Sequence, residues 1–404
     1  MKAPIPISRP WLGEAEAEAS RAVVLSGWVM QGPKVAEFER HFAEFIGVSH
    51  ACAVSSGTAA LILALKAVGV GPGDVVLTVS HSFIATANAV RACGAEPVFV
   101  DIERSGYNMD PVALEHVLSN ECLCDGDALF YGGVERLLSL NESPLRDFKG
   151  RVGRVAAILA VHQMGFPCDI EAVNRLARTH NIPWVEDAAC AAGTLWDGRP
   201  IGQGISDVAC FSFHPRKLMT TGDGGMVTTN TAAIDARCRQ WRQHAMTPDP
   251  AGGLFESYAC TAYNYRLTDI QAAIGIEQLA RLPEMIERRR VLVDRYRDGL
   301  AANNMFRILL EPRRSVSNWQ SLPVDFSGSP IPIERVIGAL AAEGISAKPG
   351  IMNAHTEVPY RGPWRLPESE RRRRETVLLP LYHDLAPDDV ARVTAVLNGL
   401  GANG

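Results

Sequence analysis

The sequence predicts an α/β protein, with a large domain built on a mostly parallel sheet covered by helices and a smaller C-terminal α+β domain. Three observations point there. From about residue 34 to 245, strand-like runs that are apolar throughout alternate with helix-like segments, the pattern of a parallel sheet buried on both faces. From about residue 265 the alternation gives way to one long helical stretch and then to mixed strands and helices. A chain of 404 residues, 47% hydrophobic and 21% charged, is long enough for both cores. The expected division is 1–264, an N-terminal segment with the large domain, and 265–404, the smaller domain.

In chain order, "KVAEFERHFAEFIG" (34–47) carries apolar residues at helical spacing and stops at a glycine. "HACAVSS" (50–56) reads as a strand and "GTAALILALKAVG" (57–69) as a helix. Strand "DVVLTVS" (74–80), helix "SFIATANAVRACG" (82–94), strand "EPVFVDI" (96–102) and helix "DPVALEHVLS" (110–119) continue the rhythm. Residues 120–153 interrupt it, far beyond an ordinary connection, and read as an inserted excursion. Strand "VAAILAVH" (155–162), helix "DIEAVNRLARTHN" (169–181) and strand "IPWVEDA" (182–188) come next. "DVACFSF" (207–213) and "MVTTN" (226–230) read as strands on either side of a turn. The stretch 266–303 reads as a long helix bent or broken at Pro283. A strand within 317–326 and helices at 332–344 and 388–400 complete the smaller domain.

Forty basic against forty-five acidic residues give a net charge of -5 and a pI of about 6.1, without the basic footprint of a nucleic-acid binder. The run "RRRRE" (371–375) reads as a solvated or subunit-facing helix surface. Nine cysteines, scattered and often within apolar strands, read as reduced core thiols. "CLC" (122–124) has no second pair at ligand spacing, so no metal is expected. No signal-peptide core and no run of membrane-span length is visible, and a soluble, cytoplasmic protein is expected.

Three places could carry chemistry. Lys217 lies between two apolar strands in "FSFHPRKLMTTGDGG" (211–225): either its ammonium escapes to solvent, or it is a nucleophilic amine able to form a Schiff base. In "VSSGTAAL" (54–61) a strand ends in hydroxyl residues and Gly57 directly before a helix, which makes either a phosphate seat or a helix cap by Ser56 or Thr58. In "WVEDAACAAG" (184–193) Asp187 ends an apolar strand, either to pair with a buried cation or to cap the next segment. No GxGxxG comes after a strand and no Walker lysine motif appears, while "GDGG" (222–225) suits a tight turn beside a ligand.

The ordered series "SSGTAAL", "SFIATANAV", "EPVFVDI", "VHQMGFPCDI", "VEDAACAAG", "SDVACFSFHPRKLMTTGDGGMV" and "YNYRLTDIQAAIG" resembles the DegT/DnrJ/EryC1/StrS family, pyridoxal-phosphate-dependent aminotransferases of antibiotic and cell-envelope sugar biosynthesis. The resemblance runs from about Ser8 to Leu400. It implies a fold-type-I aminotransferase, pyridoxal 5'-phosphate as cofactor, and a homodimer with active sites at the subunit boundary. By position, Lys217 matches the lysine that forms the Schiff base, and Asp187 the aspartate that binds the protonated pyridine nitrogen. Gly57, Thr58 and Ser212 match the phosphate contacts. Phe83 matches the aromatic residue that stacks on the ring. Asn264 matches an asparagine that reaches the phosphate from the neighbouring subunit.

The chain also departs from the family pattern. Cys190 stands where many relatives have a glutamine at the cofactor's ring hydroxyl, and either makes a weaker contact there or gives way to another group; Ala192 replaces a histidine, and Asp223 replaces the glutamate of "GEGG". The insertion at 120–153 lies outside the family pattern and is expected either at the substrate mouth or on the dimer surface. Residues 344–360 replace a segment that in relatives carries an arginine and a tyrosine beside the substrate. Lys348 and His355 are the polar candidates there, with His214 a third. The resemblance implies transfer of an amino group from L-glutamate or L-glutamine to a nucleotide-linked keto-sugar or keto-cyclitol. Alternatives are a non-sugar ketone or aldehyde in a natural-product pathway, a cofactor-dependent sugar dehydratase, and a non-catalytic regulator. Lys217 argues against the dehydratase, whose relatives have histidine there, and no DNA-binding helix pair supports the regulator.

Overall fold

The structure is a computed structural model that describes residues 3–247 and 256–402. Seven strands form the path of the central sheet: β1 (His50–Val54), β2 (Asp74–Val79), β3 (Glu96–Val100), β4 (Arg154–Val161), β5 (Trp184–Asp187), β6 (Val208–Ser212) and β7 (Gly225–Thr229). Their spatial order is β1-β7-β6-β5-β4-β2-β3. All neighbours are parallel except β7, which runs against both β1 and β6. β7 reverses because the chain returns from β6 through turns and bends at 213–224, with no helix there to carry it across the sheet face as a parallel return requires.

Both faces of the sheet are covered, as the uninterrupted apolar runs require. Cys52, Val76, Leu159, Val185, Cys210 and Val227 pack with helices Gly57–Ala67, Ala85–Ala92 and Ala232–Trp241. Ala53, Leu77, Ile158, Trp184, Phe211 and Met226 pack with helices Pro33–Ile46, Pro111–Asn120 and Ile170–Thr179. The α/β architecture read from the sequence is therefore the one observed. Glu39 ties the second layer to the sheet: its carboxylate accepts the Ala53 N–H at 2.8 Å and pairs with Arg239 and the buried Arg242.

The insertion contains an antiparallel hairpin, Cys122–Asp125 with Ala128–Tyr131, which meets the sheet where Phe130 pairs with Arg154, the first residue of β4. The Phe148 ring covers Gly73, just before β2; a Cβ at Gly73 would lie 2.4 Å from it. The insertion thus sits at the amino ends of the strands, across the sheet from their carboxyl ends, and not at a mouth formed there.

A second core gathers Val293, Tyr296, Trp319, Val324, Val336, Leu379 and Leu397 around a four-stranded antiparallel sheet. Its long helix, Asp269–Leu300, runs through Pro283 as one element; buried Leu279, Leu282, Met285 and Leu292 hold both sides in place against the loss of one backbone hydrogen bond. The start of the chain joins this core: Ile5 exchanges backbone hydrogen bonds with Gly344 and Ser346 at 2.9 Å. The arginine run is only partly a solvated face. Arg372, 3% exposed, bonds Asp325 at 2.7 Å and the Arg104 carbonyl at 2.9 Å, joining the two cores. All nine cysteines are unpaired, and no described helix is long and apolar enough to cross a membrane.

Candidate active site

Parallel neighbours end on the same side of a sheet, so the residues just beyond β2, β5 and β6 share the carboxyl edge, with the end of β1 nearby. Three of the sequence candidates meet there through this topology. Asp187 is the last residue of β5 and only 4% exposed. Its Oδ2 accepts the Thr86 hydroxyl at 2.7 Å and its Oδ1 the Ala189 N–H at 3.2 Å. Thr86 in turn accepts from Ser82 at 2.8 Å. Among the described residues no cation pairs with this buried carboxylate, although burial of a charge normally demands one.

Lys217 lies on the turn between β6 and β7, half-buried, with Leu218, Met219 and Thr220 buried behind it. The turn is closed by Phe213 N–H to Gly224 O at 2.8 Å and by the Thr220 hydroxyl to Phe213 O at 2.7 Å. Lys217 Nζ stands 3.1 Å from Cys190 Sγ. Cys190 is fixed by its backbone: Asn318 Nδ2 donates to the carbonyls of Cys190 at 3.0 Å and Ala192 at 2.8 Å. Gln320 Nε2 donates to Arg216 O at 2.9 Å, so one loop of the second core braces both turns. That loop hangs from Arg289, whose Nη1 binds the carbonyls of Trp319 and Gln320; burial lowers its pKa to about 10.

Gly57 opens the helix Gly57–Ala67, with Ser56 as its N-cap, accepting from Ala59 N–H at 3.1 Å. The capping reading of this motif is therefore realised, and the seat reading stands beside it. A Cβ on Gly57 would lie 2.7 Å from Ser212 Cβ, so glycine is what lets the helix terminus and the end of β6 form one cradle. A helix N-terminus beside a hydroxyl and half-buried Thr58 suits a phosphate.

The remaining candidates are spread around this centre. Phe83, 67% exposed, comes directly after Ser82 on the turn beyond β2. Asn264 is exposed and bridges Gln243, while the next carbonyl, of Tyr265, accepts the Ser55 N–H at 2.8 Å. His214 is exposed and its Nδ1 accepts the Arg216 N–H at 3.2 Å. His355 is buried; the Ser80 hydroxyl meets its Nδ1 at 2.6 Å, Glu370 lies 3.5 Å from its Nε2, and burial lowers its pKa. It anchors residues 353–356 to the end of β2. Lys348 is exposed on a short strand of the second sheet, opposite Leu378, and the structure joins it to no other candidate. Sequence reading missed Thr86, Asn318 and Gln320, because nothing in a hydroxyl or amide side chain announces which strand end it will face.

The donor set fits pyridoxal phosphate. A buried carboxylate without a cation suits a protonated ring nitrogen, the glycine cradle suits the phosphate, and a half-buried amine stands beside both strand ends. Known proteins supply the family. The model of the DegT/DnrJ/EryC1/StrS aminotransferase family, which is dependent on pyridoxal phosphate, matches residues 10–398. The aminotransferase TlmJ from Streptoalloteichus hindustanus is 31% identical over 99% of each chain, with a TM-score of 0.85. DesI, solved in the presence of its TDP-sugar product, is 28% identical over 100% of this chain and 94% of its own, with a TM-score of 0.83. The PLP-form of the putative sugar aminotransferase Spr1654 from Streptococcus pneumoniae is 25% identical over 99% of each chain, with a TM-score of 0.83. Fold, cradle and full-length match converge: the chain belongs to the DegT/DnrJ/EryC1/StrS family and is an aminotransferase.

Proposed function

We propose that this aminotransferase moves an amino group from L-glutamate or L-glutamine to the ketone of a nucleotide-linked keto-sugar, or a related keto-cyclitol, using pyridoxal phosphate. The observation that carries the reading is Asp187, a buried carboxylate with two neutral donors and no cation among the described residues, on the same edge as Lys217. When bound, the cofactor supplies an electron sink for the bond broken at the donor carbon. Asp187 would hold the ring nitrogen protonated, and Thr86 would keep that carboxylate aimed at it. Gly57, Thr58 and Ser212 would hold the phosphate. Phe83 would cover one ring face and exclude water from it.

Lys217 would have two tasks in this reading: it would attach the cofactor, and, once displaced, its Nζ would take a proton from the donor carbon and deliver it to the cofactor carbon, as general base and then general acid. His214, His355 and Lys348 belong to the surroundings from which the keto substrate would be recognised. The TDP-sugar found with DesI supports a nucleotide-linked acceptor for this chain as well. The active form in this proposal is a homodimer in which the partner copy supplies an asparagine equivalent to Asn264. The test is the visible absorption of the protein with pyridoxal phosphate, before and after L-glutamate, with Lys217→Ala as control. A band that glutamate bleaches only in the unaltered chain is expected; a band of equal strength in Lys217→Ala would defeat the assignment of Lys217. Mixing Lys217→Ala with Asn264→Ala chains should restore part of the activity if the sites are shared.

A further inference from the structure

We propose that Cys190 is a positioning residue for Lys217: its thiol takes up the lysine amine whenever that amine is free of the cofactor, and the two share one proton. The inference rests on the cofactor reading above and extends it to a residue that departs from the family pattern. The contact is direct, with Nζ and Sγ 3.1 Å apart, and it is the only side-chain hydrogen bond Lys217 makes among the described residues.

Three features make the pair more than proximity. Cys190 does not depend on its side chain for its place, since Asn318 grips the carbonyls on either side of the turn. Its accessibility is unlike that of most of the other cysteines. Six are buried; burial pushes the thiols of Cys52, Cys93 and Cys122 up to about 12 and those of Cys168, Cys210 and Cys238 well above the ordinary value. Cys190 is half-exposed, and it is the one cysteine among the described residues whose sulfur meets an amine.

Chemistry separates this thiol from the carboxamide found in many relatives. An amide is a fixed dipole that cannot give up a proton, whereas a thiol can donate its proton to a neighbouring amine and take it back. The contact changes no bond to carbon: while Nζ is an uncharged amine it accepts the Sγ–H hydrogen bond and stays free to take the proton from the donor carbon, and once Nζ is an ammonium it donates to Sγ, as in the contact observed. A free lysine side chain has four rotatable bonds, and the sulfur keeps its amine near the atoms between which it must carry a proton.

The experiment measures carbamidomethylation of Cys190 by iodoacetamide, mapped by mass spectrometry and normalised to exposed Cys124 in the same chain. In the full chain after removal of cofactor, Cys190 of the unaltered protein should react at least threefold faster than in Lys217→Ala and Lys217→Gln, because a neighbouring amine favours the thiolate. In the holoenzyme, L-glutamate should raise the Cys190 rate by a similar factor, since it frees the lysine. Cys190→Ala should lower the limiting rate of the glutamate-induced absorption change about fivefold with half-saturating glutamate unchanged, and Cys190→Ser should recover most of it. Equal alkylation rates in the unaltered chain and both Lys217 variants would overturn the pair. If those rates differ but glutamate leaves the absorption unchanged, the donor assignment fails while the pair stands.

Discussion

Thr86 gives its hydroxyl proton to Asp187 at 2.7 Å, reaching from the helix after β2 to the end of β5, two strands away. The bond aims a carboxylate that has, among the described residues, one other donor, the Ala189 N–H. Thr86→Val keeps the shape and removes the donor, and hydrogen bonds to a charged group contribute about 1.5–3 kcal/mol. Pyridoxal phosphate should therefore bind about tenfold or more weakly to Thr86→Val, and nearly normally to Thr86→Ser, as read from absorption titrations.

Gly57 faces Ser212 so closely that an added methyl group has nowhere to go: Ser212 Cβ, Oγ and Cα lie 2.7, 3.1 and 3.3 Å from its position. Overpacking of this kind costs about 1–3 kcal/mol. Gly57→Ala should lower phosphate and cofactor affinity by tenfold or more, measured by calorimetry, with a smaller fall in melting temperature. An unchanged affinity would remove Gly57 from the cradle.

Glu39 neutralises the buried Arg242 and satisfies the Ala53 N–H. Removing one partner of a buried pair costs about 3–5 kcal/mol because the other charge is left in the interior. Glu39→Ala should shift the urea midpoint accordingly. Replacing Glu39 with Gln should recover the Ala53 bond and part of the loss.

Leu140 in the insertion is fully buried against Gly362, where a Cβ would lie 2.3 Å from its side chain. Leu140→Ala should cost about 2–5 kcal/mol of stability. Because the insertion lies at the amino ends of the strands, the folded variant should bind pyridoxal phosphate as the unaltered chain does. A large loss of cofactor affinity in the folded variant would show that the two edges of the sheet communicate.

Glu103 offers a pH signature. Burial, reinforced by Asp110 and Asp169, raises its pKa to about 7 from an ordinary 4.5. The folded state holds this proton more tightly than the unfolded chain does, so the contribution of Glu103 is complete below about 4.5 and is lost as pH rises to about 7. With allowance for its partial exposure the loss is on the order of 1–2 kcal/mol. The stability difference between the unaltered chain and Glu103→Gln should change in favour of the variant across that window, in urea titrations at fixed ionic strength.

Much of this was legible in the residue order. The seven strands of the sheet path are mainly apolar runs with glycine, serine or asparagine near their ends, and burial on both faces leaves few polar residues to disguise them. Lys217 and Asp187 were visible as charges at the ends of such runs. The hairpin of the insertion was missed although its turn, Gly126 with φ 60 and then Asp127, is a two-residue loop of the kind strands favour. Of the bend or break expected at Pro283, a break is not seen, because a sequence shows the missing N–H but not the packing that outweighs it. Arg372 was hidden in a run of charges: only the fold reveals that one of four successive arginines faces Asp325 and the others do not. The brace from Asn318 and Gln320 depends on where the second core sits against the first, information spread over the whole chain.

The place of β1 in the sheet has a consequence for how the protein is made. β1 leaves the ribosome before the other strands of the sheet, yet among the described residues its partner is β7, as in His50 with Thr229, so its edge stays open while roughly 170 further residues are synthesised, about 10–35 s at ordinary translation rates. The seam between β1 and β7 is also where the proposed phosphate cradle lies, with Gly225 packed on the Ser56 carbonyl and Gly57 on Ser212. A phosphate seated there would staple the earliest strand to the latest, so cofactor supply during translation would govern how much newborn chain reaches its finished form.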